Sequence, residues 1–587
     1  MTRHILQQLM LPDPDLPNAP DVFVRLSQGA ALKDGNVTLP ANGARLQVDT
    51  YANLFNLGTW AAHAPVTDLA LELAGTGPVS LHLWQVTQKG EQTLIQTDVT
   101  LTQGGNRLPI TPATPDGLLM WSLTALGPVH LNSAAITARA PVAAPIKLAI
   151  VITTFGREDA VRATATRIAA FLGAGQLPRA HLFVIDNGRS VTLPDHPDVT
   201  LIPNRNLGGA GGFARGLAAS RDAGSFSHVL FMDDDAAFQM ENLTRTAAFL
   251  RHAADPATAL AGAMVSAVRP HELWENGATF DQVARSRFKG TDLRNADEVT
   301  AMELATPATP GTGFYGAWWY FAFPIAAVRH DPFPFFVRGD DVWFGLSNPF
   351  RIATLNGVMS LQDDFSAKSS PQTAYLDMRY ILVVNMTRPT RGRGPFGIIA
   401  LAMRQILYCA SHLHYEAASA QLAAWQDVLD GPDFFARNID MADKRSQIAA
   451  LTQTERWGPL PANLPPQAPQ VPMTTARKIV QRLTLNGHLL PGARWWGRDV
   501  TIPLQDRSSL WCLRYAKRGV FLDDAGRAYT VTHSKLIFAR LMGRSLSLAL
   551  RFLIAWPRLS RDYRAAMNTM TTPAFWKDQF AVFPDKR

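Results

Sequence analysis

Two cysteines in 587 residues, Cys409 and Cys512, are too few and too far apart for a disulfide framework or a Cys-based zinc site, which fits a reducing cytoplasm. No uninterrupted apolar stretch reaches the roughly eighteen residues that a membrane-spanning helix needs. The opening Met1-Thr2-Arg3-His4-Ile5-Leu6 meets Pro12-Asp13-Pro14-Asp15 before a signal-peptide core can form. These absences lead to the expectation of a cytoplasmic protein, soluble or peripheral. No nucleic-acid recognition motif is visible, and the excess of 56 Lys+Arg over 48 Asp+Glu is spread along the chain, so nucleic acid is not an expected partner. The net charge of +8 by itself suits an anionic substrate, a nucleic acid or an acidic membrane face and does not choose among them. No Gly-Lys-Ser/Thr follows the Gly-rich segment near residue 210, so it is not a phosphate-binding lysine loop.

What is present reads as a globular chain of about three or four domains. Residues from about 20 to 140 alternate apolar and polar in short runs such as Val79-Ser80-Leu81-His82-Leu83-Trp84, divided by turn pairs like Lys89-Gly90. That spacing predicts an N-terminal antiparallel β-sandwich over 1–143. Tyr51, Phe55 and Trp60 fall in one loop of it, where rings either stack on sugar or pack inward. The pattern changes at Ala140-Pro141-Val142-Ala143-Ala144-Pro145. Lys147–Thr154, Leu182–Ile185 and Thr200–Pro203 are β-rich apolar runs, with a helical stretch from Asp159 to Phe171, and the alternation predicts a mostly parallel, Rossmann-like α/β sheet over 144–385. A helical cover over 386–458 follows, then a Pro-rich linker and a basic helical domain over 459–587. From Lys535 to Arg564 apolar residues are interleaved with Arg540, Arg544, Arg551, Arg558 and Arg561, a pattern for an anionic membrane face or for packing within the domain.

The chemistry concentrates at strand ends. The run His228-Val229-Leu230-Phe231-Met232 stops in Asp233-Asp234-Asp235, and two acids at i, i+2 can turn their oxygens to one hard cation such as Mg²⁺ or Mn²⁺. The same triplet also fits a loop of solvated acids. Arg157, Asp186, Asn187 and the Asp233 cluster fall at strand carboxyl ends, the rim where α/β sheets bind ligands. Asn206-Leu207-Gly208-Gly209-Ala210-Gly211-Gly212 precedes a helix, so its backbone can approach either a ligand or the sheet. Trp318 and Trp319 are neighbours before a strand, which leaves one ring for stacking on a sugar. Asp340-Asp341 opens a predicted helical turn, as a cap or as a general base in a crevice.

Asp49-Thr50-Tyr51, Trp60, Thr153-Thr154-Phe155-Gly156-Arg157, the Gly-rich run, Phe231–Asp235, Trp318-Trp319 and Asp340-Asp341 occur in one order. In this the chain, from about residue 20 to its end, resembles the polymerising galactofuranosyltransferases of glycosyltransferase family two, which build mycobacterial cell-wall galactan. The resemblance implies a GT-A-type domain between the β-sandwich and the helical region, assembled as a tetramer on the inner membrane face. It implies a UDP-galactofuranose donor and a glycan or lipid-linked glycan acceptor. It makes Arg157, Asn187 and Asn206 contacts to the uridine diphosphate, within a donor site that also takes in Asp186, Gly208, Gly209 and Asp233. Asp233 and Asp235 become ligands of Mn²⁺ or Mg²⁺, Asp341 the general base of an inverting displacement, Asp340 an orienter of the acceptor, and Trp318 and Trp319 the lining of its site.

Two positions depart from the family. Where it has a metal-ligating His the chain reads Leu361-Gln362-Asp363-Asp364-Phe365, which makes Asp363 or Asp364 the expected substitute. An acid of the acceptor region corresponds to Ala278, with Glu272 or Glu275 as compensation. A same-fold transferase using another nucleotide-hexose, and a non-catalytic glycan-binding protein, remain as competing readings.

Overall fold

A computed structural model describes residues 2–581 except 34, 42, 141–144, 308–310, 364–368, 389–392, 469–473, 493–496 and 524. The expected N-terminal β region is antiparallel throughout, and hydrogen bonding joins its strands into one eleven-stranded sheet. The strand Ala70–Thr87 is the hinge of this network: its first half pairs with Val129–Ala140 and Asn106–Pro109, its second half with Leu118–Ala125 and Gly90–Leu101. Tyr51, Phe55 and Trp60 are buried, with Phe55 stacked on Trp60 at 5.6 Å, so these rings pack inward. Arg245, fully enclosed, donates to the carbonyls of Ala52 at 2.8 Å, Asn356 at 2.9 Å and Gln8 at 3.1 Å, and so ties the N-terminal sheet to the next domain.

The central domain is an eight-stranded sheet. Leu148–Thr154, Ala180–Asp186, Val199–Pro203 and His228–Asp233 run parallel, as the apolar runs predict for strands covered on both faces. Helix Glu158–Gly173 covers the face of Leu148, Ile150 and Ile152, and helix Gly208–Asp222 the face of Ala149 and Val151. The short strand Phe321–Pro324 lies antiparallel between His228–Asp233 and Thr258–Ser266, and Arg351–Gln362 extends the sheet parallel to Thr258–Ser266.

Helix Pro371–Thr387 runs across the expected boundary at 385 and packs on Tyr415–Leu429, so the helical layer begins inside the segment assigned to the sheet domain. The C-terminal part is not purely helical. Gly458–Pro459, Arg498–Pro503, Ala516–Leu522 and Arg527–Thr532 form a four-stranded sheet, to which the Pro-rich segment is pinned by Thr501 N–H donating to the Pro466 carbonyl at 2.9 Å. The 35-residue helix Lys535–Thr569 buries Phe538, Leu541, Leu548 and Phe552 against the helical layer, yet leaves Leu546, Leu550 and Ile554 exposed. Among the described residues no helix is long and apolar enough to cross a membrane.

Candidate active site

The parallel register sets Thr154 beside Asp186 and Thr153 beside Asp233, so the strand ends share one rim. Within the triplet the three acids have different surroundings. Asp234 is buried and accepts from the Thr154 hydroxyl at 2.7 Å; burial raises its pKa against the pull of Thr154 and Arg157. Asp235 pairs with the Arg157 guanidinium, which also reaches Asp234 at 3.5 Å. Burial works against the Arg157 charge, but these two carboxylates outweigh it and hold the guanidinium more firmly protonated than usual. Asp233 accepts from the Gln362 amide at 3.3 Å.

Asp186 spends its carboxylate on its own turn: one oxygen accepts from the N–H groups of Gly188 at 2.8 Å and Arg189 at 2.9 Å, the other from Val191 at 2.7 Å. Asn187 donates to the Gly208 carbonyl at 3.1 Å and accepts from Asn204 at 2.9 Å, and Asn206 accepts from Gly208 N–H at 3.1 Å. The glycines are filled in by protein. Gly208 has φ +68°, and a Cβ there would overlap the Phe336 carbonyl; a Cβ at Gly212 would strike Thr153, and one at Gly216 would meet Val151. Close helix-to-sheet packing therefore accounts for Gly212 and Gly216, and contact with the 336–340 turn for Gly208.

That turn carries the second acid pair. Phe336, Arg338 and Gly339 have positive φ (71°, 68° and 82°), a strained path of the kind that a packed site imposes on its backbone. Helix Asp340–Ser347 starts from it, and Tyr380 packs against Gly339. Asp340 is buried, and its carboxylate faces Gly209. Burial first, then the charges of Asp341 and, to a lesser extent, Asp233, push Asp340 well above the usual carboxylate range. Asp341, partly exposed, accepts its Val342 N–H at 2.8 Å; burial lifts it to about 6 against the pull of its hydrogen bonds and of Arg338. Arg338 is held in turn by Asp377 at 3.0 Å.

Glu275 joins this group. It accepts from Ser286 at 2.7 Å through one oxygen while the other is buried without a partner, and burial, with a contribution from Asp341, moves it to about 8. Of the two acids named as compensation for Ala278, Glu275 thus borders Asp341, whereas Glu272 pairs with Arg269 at 2.5 Å. Neither Glu275 nor Gln362 stands out locally in sequence; Gln362 lies next to Asp363 but carries no charge signal.

Trp318 lies in an aromatic cluster with Phe213 (4.9 Å), Phe231 (5.1 Å) and Phe344 (5.6 Å), which leaves it no open face for a sugar; its place in the domain core is the physical reason. Trp319 is half-buried and donates to the Gly262 carbonyl at 3.0 Å. Asp363 is exposed immediately after the strand whose Gln362 touches Asp233; Asp364 lies outside the described residues. Among the described residues no three His, Cys, Asp or Glu side chains converge as a ready cation cage. The donor set still fits a diphosphate-bound Mg²⁺ or Mn²⁺, because such ions take one or two carboxylates and fill the rest of their shell with phosphate oxygens and water.

A rim of carboxylates at the ends of a parallel sheet, opposite an acid pair with raised pKa, is an arrangement that glycosyl transfer can use, and the relatives agree with that class. No family model matches the chain. It is 24% identical over 585 residues to galactofuranosyltransferase GlfT2 of Mycolicibacterium smegmatis, across 90% of this chain and 88% of that one. It is likewise 24% identical over 588 residues to galactofuranosyltransferase GlfT2 of Mycobacterium tuberculosis, across 91% and 90%. Solved structures overlap it only in part. They include the mannosyltransferase PcManGT from Pyrobaculum calidifontis in complex with GDP-Man and Mn²⁺, at TM-score 0.27 and 15% identity over 53% of this chain and 87% of that one. S. aureus TarS 1–349 overlaps at TM-score 0.26 and 14% identity over 55% and 97%. The chain thus resembles the galactofuranosyltransferases along nearly its whole length, and that relationship supports a glycosyltransferase.

Proposed function

We propose that this protein is an inverting, metal-dependent glycosyltransferase that moves galactofuranose from UDP-galactofuranose to a hydroxyl of a growing glycan or glycolipid. The observation that carries the reading is the acid pair at the 340–347 helix start, electrostatically coupled to the strand-end Asp233. Asp341, with a pKa of about 6, is mostly ionised at neutral pH and still basic enough to accept the proton of the attacking sugar hydroxyl. Asp340, which burial and the Asp341 charge push well above the usual carboxylate range, is placed beside Asp341 to orient the acceptor hydroxyl. Glu275, neutral below about 8, lies beside them and holds the acceptor from the other wall. Arg157, Asn187 and Asn206 face the donor diphosphate, with Arg157 free to exchange an Asp235 oxygen for a phosphate oxygen. Asp233 and Asp235, with Asp363 as the candidate further ligand, would hold Mg²⁺ or Mn²⁺, whose contribution is to neutralise charge on the leaving diphosphate.

Trp319, not Trp318, is the ring with open surface for the acceptor. The C-terminal basic region and a homo-oligomer at the inner membrane face complete the proposal. The test is release of UDP from a panel of UDP-hexoses and dTDP-sugars, with simple galactofuranosyl acceptors, in Mn²⁺ and after chelation. Turnover of UDP-galactofuranose alone, abolished by chelation, supports the reading. Preference for another donor makes the protein a sister transferase, and UDP binding without any turnover makes it a glycan-binding protein.

A further inference from the structure

The strained turn before the acid pair is gripped by one helix. Pro371–Thr387 sends three side chains to it: Arg379 donates to the Phe335 carbonyl, the Tyr380 ring fills the space beside Gly339, and Asp377 accepts from Arg338 Nη1 through both carboxylate oxygens, at 3.0 and 3.3 Å. Ala210 N–H holds the other side, donating to the Phe336 carbonyl at 3.0 Å. Positive φ at Phe336 and Arg338 persists only where the surroundings fix it in this way. The ties from the helix differ in kind. Arg379 and Tyr380 are buried and have nowhere to go, whereas the side chains of Arg338 and Asp377 are 32% and 36% exposed, so that pair can exchange partners.

The other partner within reach is Asp341. Gly339, at φ +82°, turns the chain between the two residues, and the Arg338 charge already works against the lift that burial gives Asp341. Around Asp341 stand Asp340, Glu275 from the strand Leu273–Glu275, Tyr315 from the strand Phe314–Tyr315, and Tyr380 from the same helix as Asp377. Burial raises all four, so Asp341 is the group among them that carries charge at neutral pH and would draw a released guanidinium. A carboxylate held by arginine is a weaker base, and its oxygens are engaged. We infer that Asp377 is a positioning residue: it anchors Arg338 so that the guanidinium stays off the Asp341 carboxylate and leaves those oxygens open to the acceptor hydroxyl. The inference rests on Asp341 acting as the general base.

The test compares Asp377→Asn, Arg338→Gln and the double variant with wild type, as full chains, in transfer from UDP-galactofuranose to a galactofuranosyl acceptor. Asp377→Asn is expected to lose roughly ten- to a hundredfold in kcat while the donor KM stays within a few-fold, because the released guanidinium closes onto the base. The acid limb of its kcat/KM profile moves down by about one pH unit. Arg338→Gln moves that limb the opposite way and keeps kcat at pH 8 within a few-fold of wild type. Removing Arg338 from the Asp377→Asn chain restores kcat to the same level, and Asp377→Glu, which keeps the anchor, stays near wild type. A pair that only braces the turn is broken equally by either single change. Equal kcat losses in the two single variants, acid limbs that stay put or move together, or a double variant as slow as Asp377→Asn would therefore overturn the inference. Failure of the underlying reading looks different: Asp341→Asn turning over within a few-fold of wild type, or wild type without turnover, removes the general base itself and this inference with it.

Discussion

Gly208→Ala separates the two uses of the Gly-rich run. Gly208 sits at φ +68°, and a Cβ there would overlap the Phe336 carbonyl oxygen and lie 2.6 Å from its carbon and 2.8 Å from the Phe336 ring. An L side chain in the left-handed region costs about 1–2 kcal/mol. The obstacle is backbone on a segment already strained at Phe336 and Arg338, so relief requires moving that turn, at an overpacking cost of about 1–3 kcal/mol. The sum, about 2–5 kcal/mol, predicts a fall in melting temperature of roughly 2–4 °C in a chain of this size. Because Asp340 and Asp341 follow the same turn, a shift of about 1 Å lowers kcat about a hundredfold. Gly209→Ala is the control: its nearest neighbour is the movable Asp340 carboxylate at 3.2 Å. Thermal unfolding and steady-state kinetics on both variants check this. A Gly208→Ala protein with unchanged melting temperature and kcat, and a raised KM for the donor, would refute the packing explanation and return the glycine to ligand approach.

Activity should rise with pH through about 6, because Asp341 works unprotonated; below that, kcat/KM falls about tenfold per pH unit, and a flat profile from pH 5 to 7 would deny Asp341 the role. Glu275 has a folded pKa of about 8 against an ordinary 4.5, so the folded state holds its proton where the unfolded chain has released it, and stability drops by about 1.4 kcal/mol per pH unit between those values. Glu275→Gln removes that slope, and its melting temperature relative to wild type should climb from pH 5 to 8; a constant difference would show that Glu275 ionises normally. Arg245→Met leaves the carbonyls of Ala52, Asn356 and Gln8 without their donor and should cost about 3–5 kcal/mol in denaturant unfolding, whereas a loss under about 1 kcal/mol would mean that the link between domains lies elsewhere.

How much of this was legible depended on burial. Leu148–Thr154 and Ala180–Asp186 read directly as strands because residues covered on both faces form continuous apolar runs, and the triplet at 233–235 stood out because charge interrupts such a run. Phe321–Pro324 gave no hint that it inserts antiparallel between parallel strands, since direction is set by partners far away in sequence. The C-terminal strands Ala516–Leu522 and Arg527–Thr532 were masked by the basic, helix-rich composition around them. At the site, Asp340-Asp341 was recognisable as an acid pair before a helix, and Glu275 was named beside Glu272 through the resemblance at Ala278, but nothing in the sequence chose between those two or marked Gln362. Glu275 and Gln362 reach it and Asp233 only through sheet register. A Gly-rich run looks the same whether its backbone approaches a ligand or a strand, and Trp318-Trp319 does not declare which ring goes inward; only the packing of Phe213, Phe231 and Phe344 around Trp318 does.

The most direct measurement is transfer from UDP-galactofuranose to a galactofuranosyl acceptor by Asp341→Asn beside wild type, with donor affinity measured in parallel. Loss of about a thousandfold in kcat, with UDP affinity and melting temperature kept, is what a general base at Asp341 predicts. An Asn variant that turns over within a few-fold of wild type would contradict it and remove the acid pair from the chemistry.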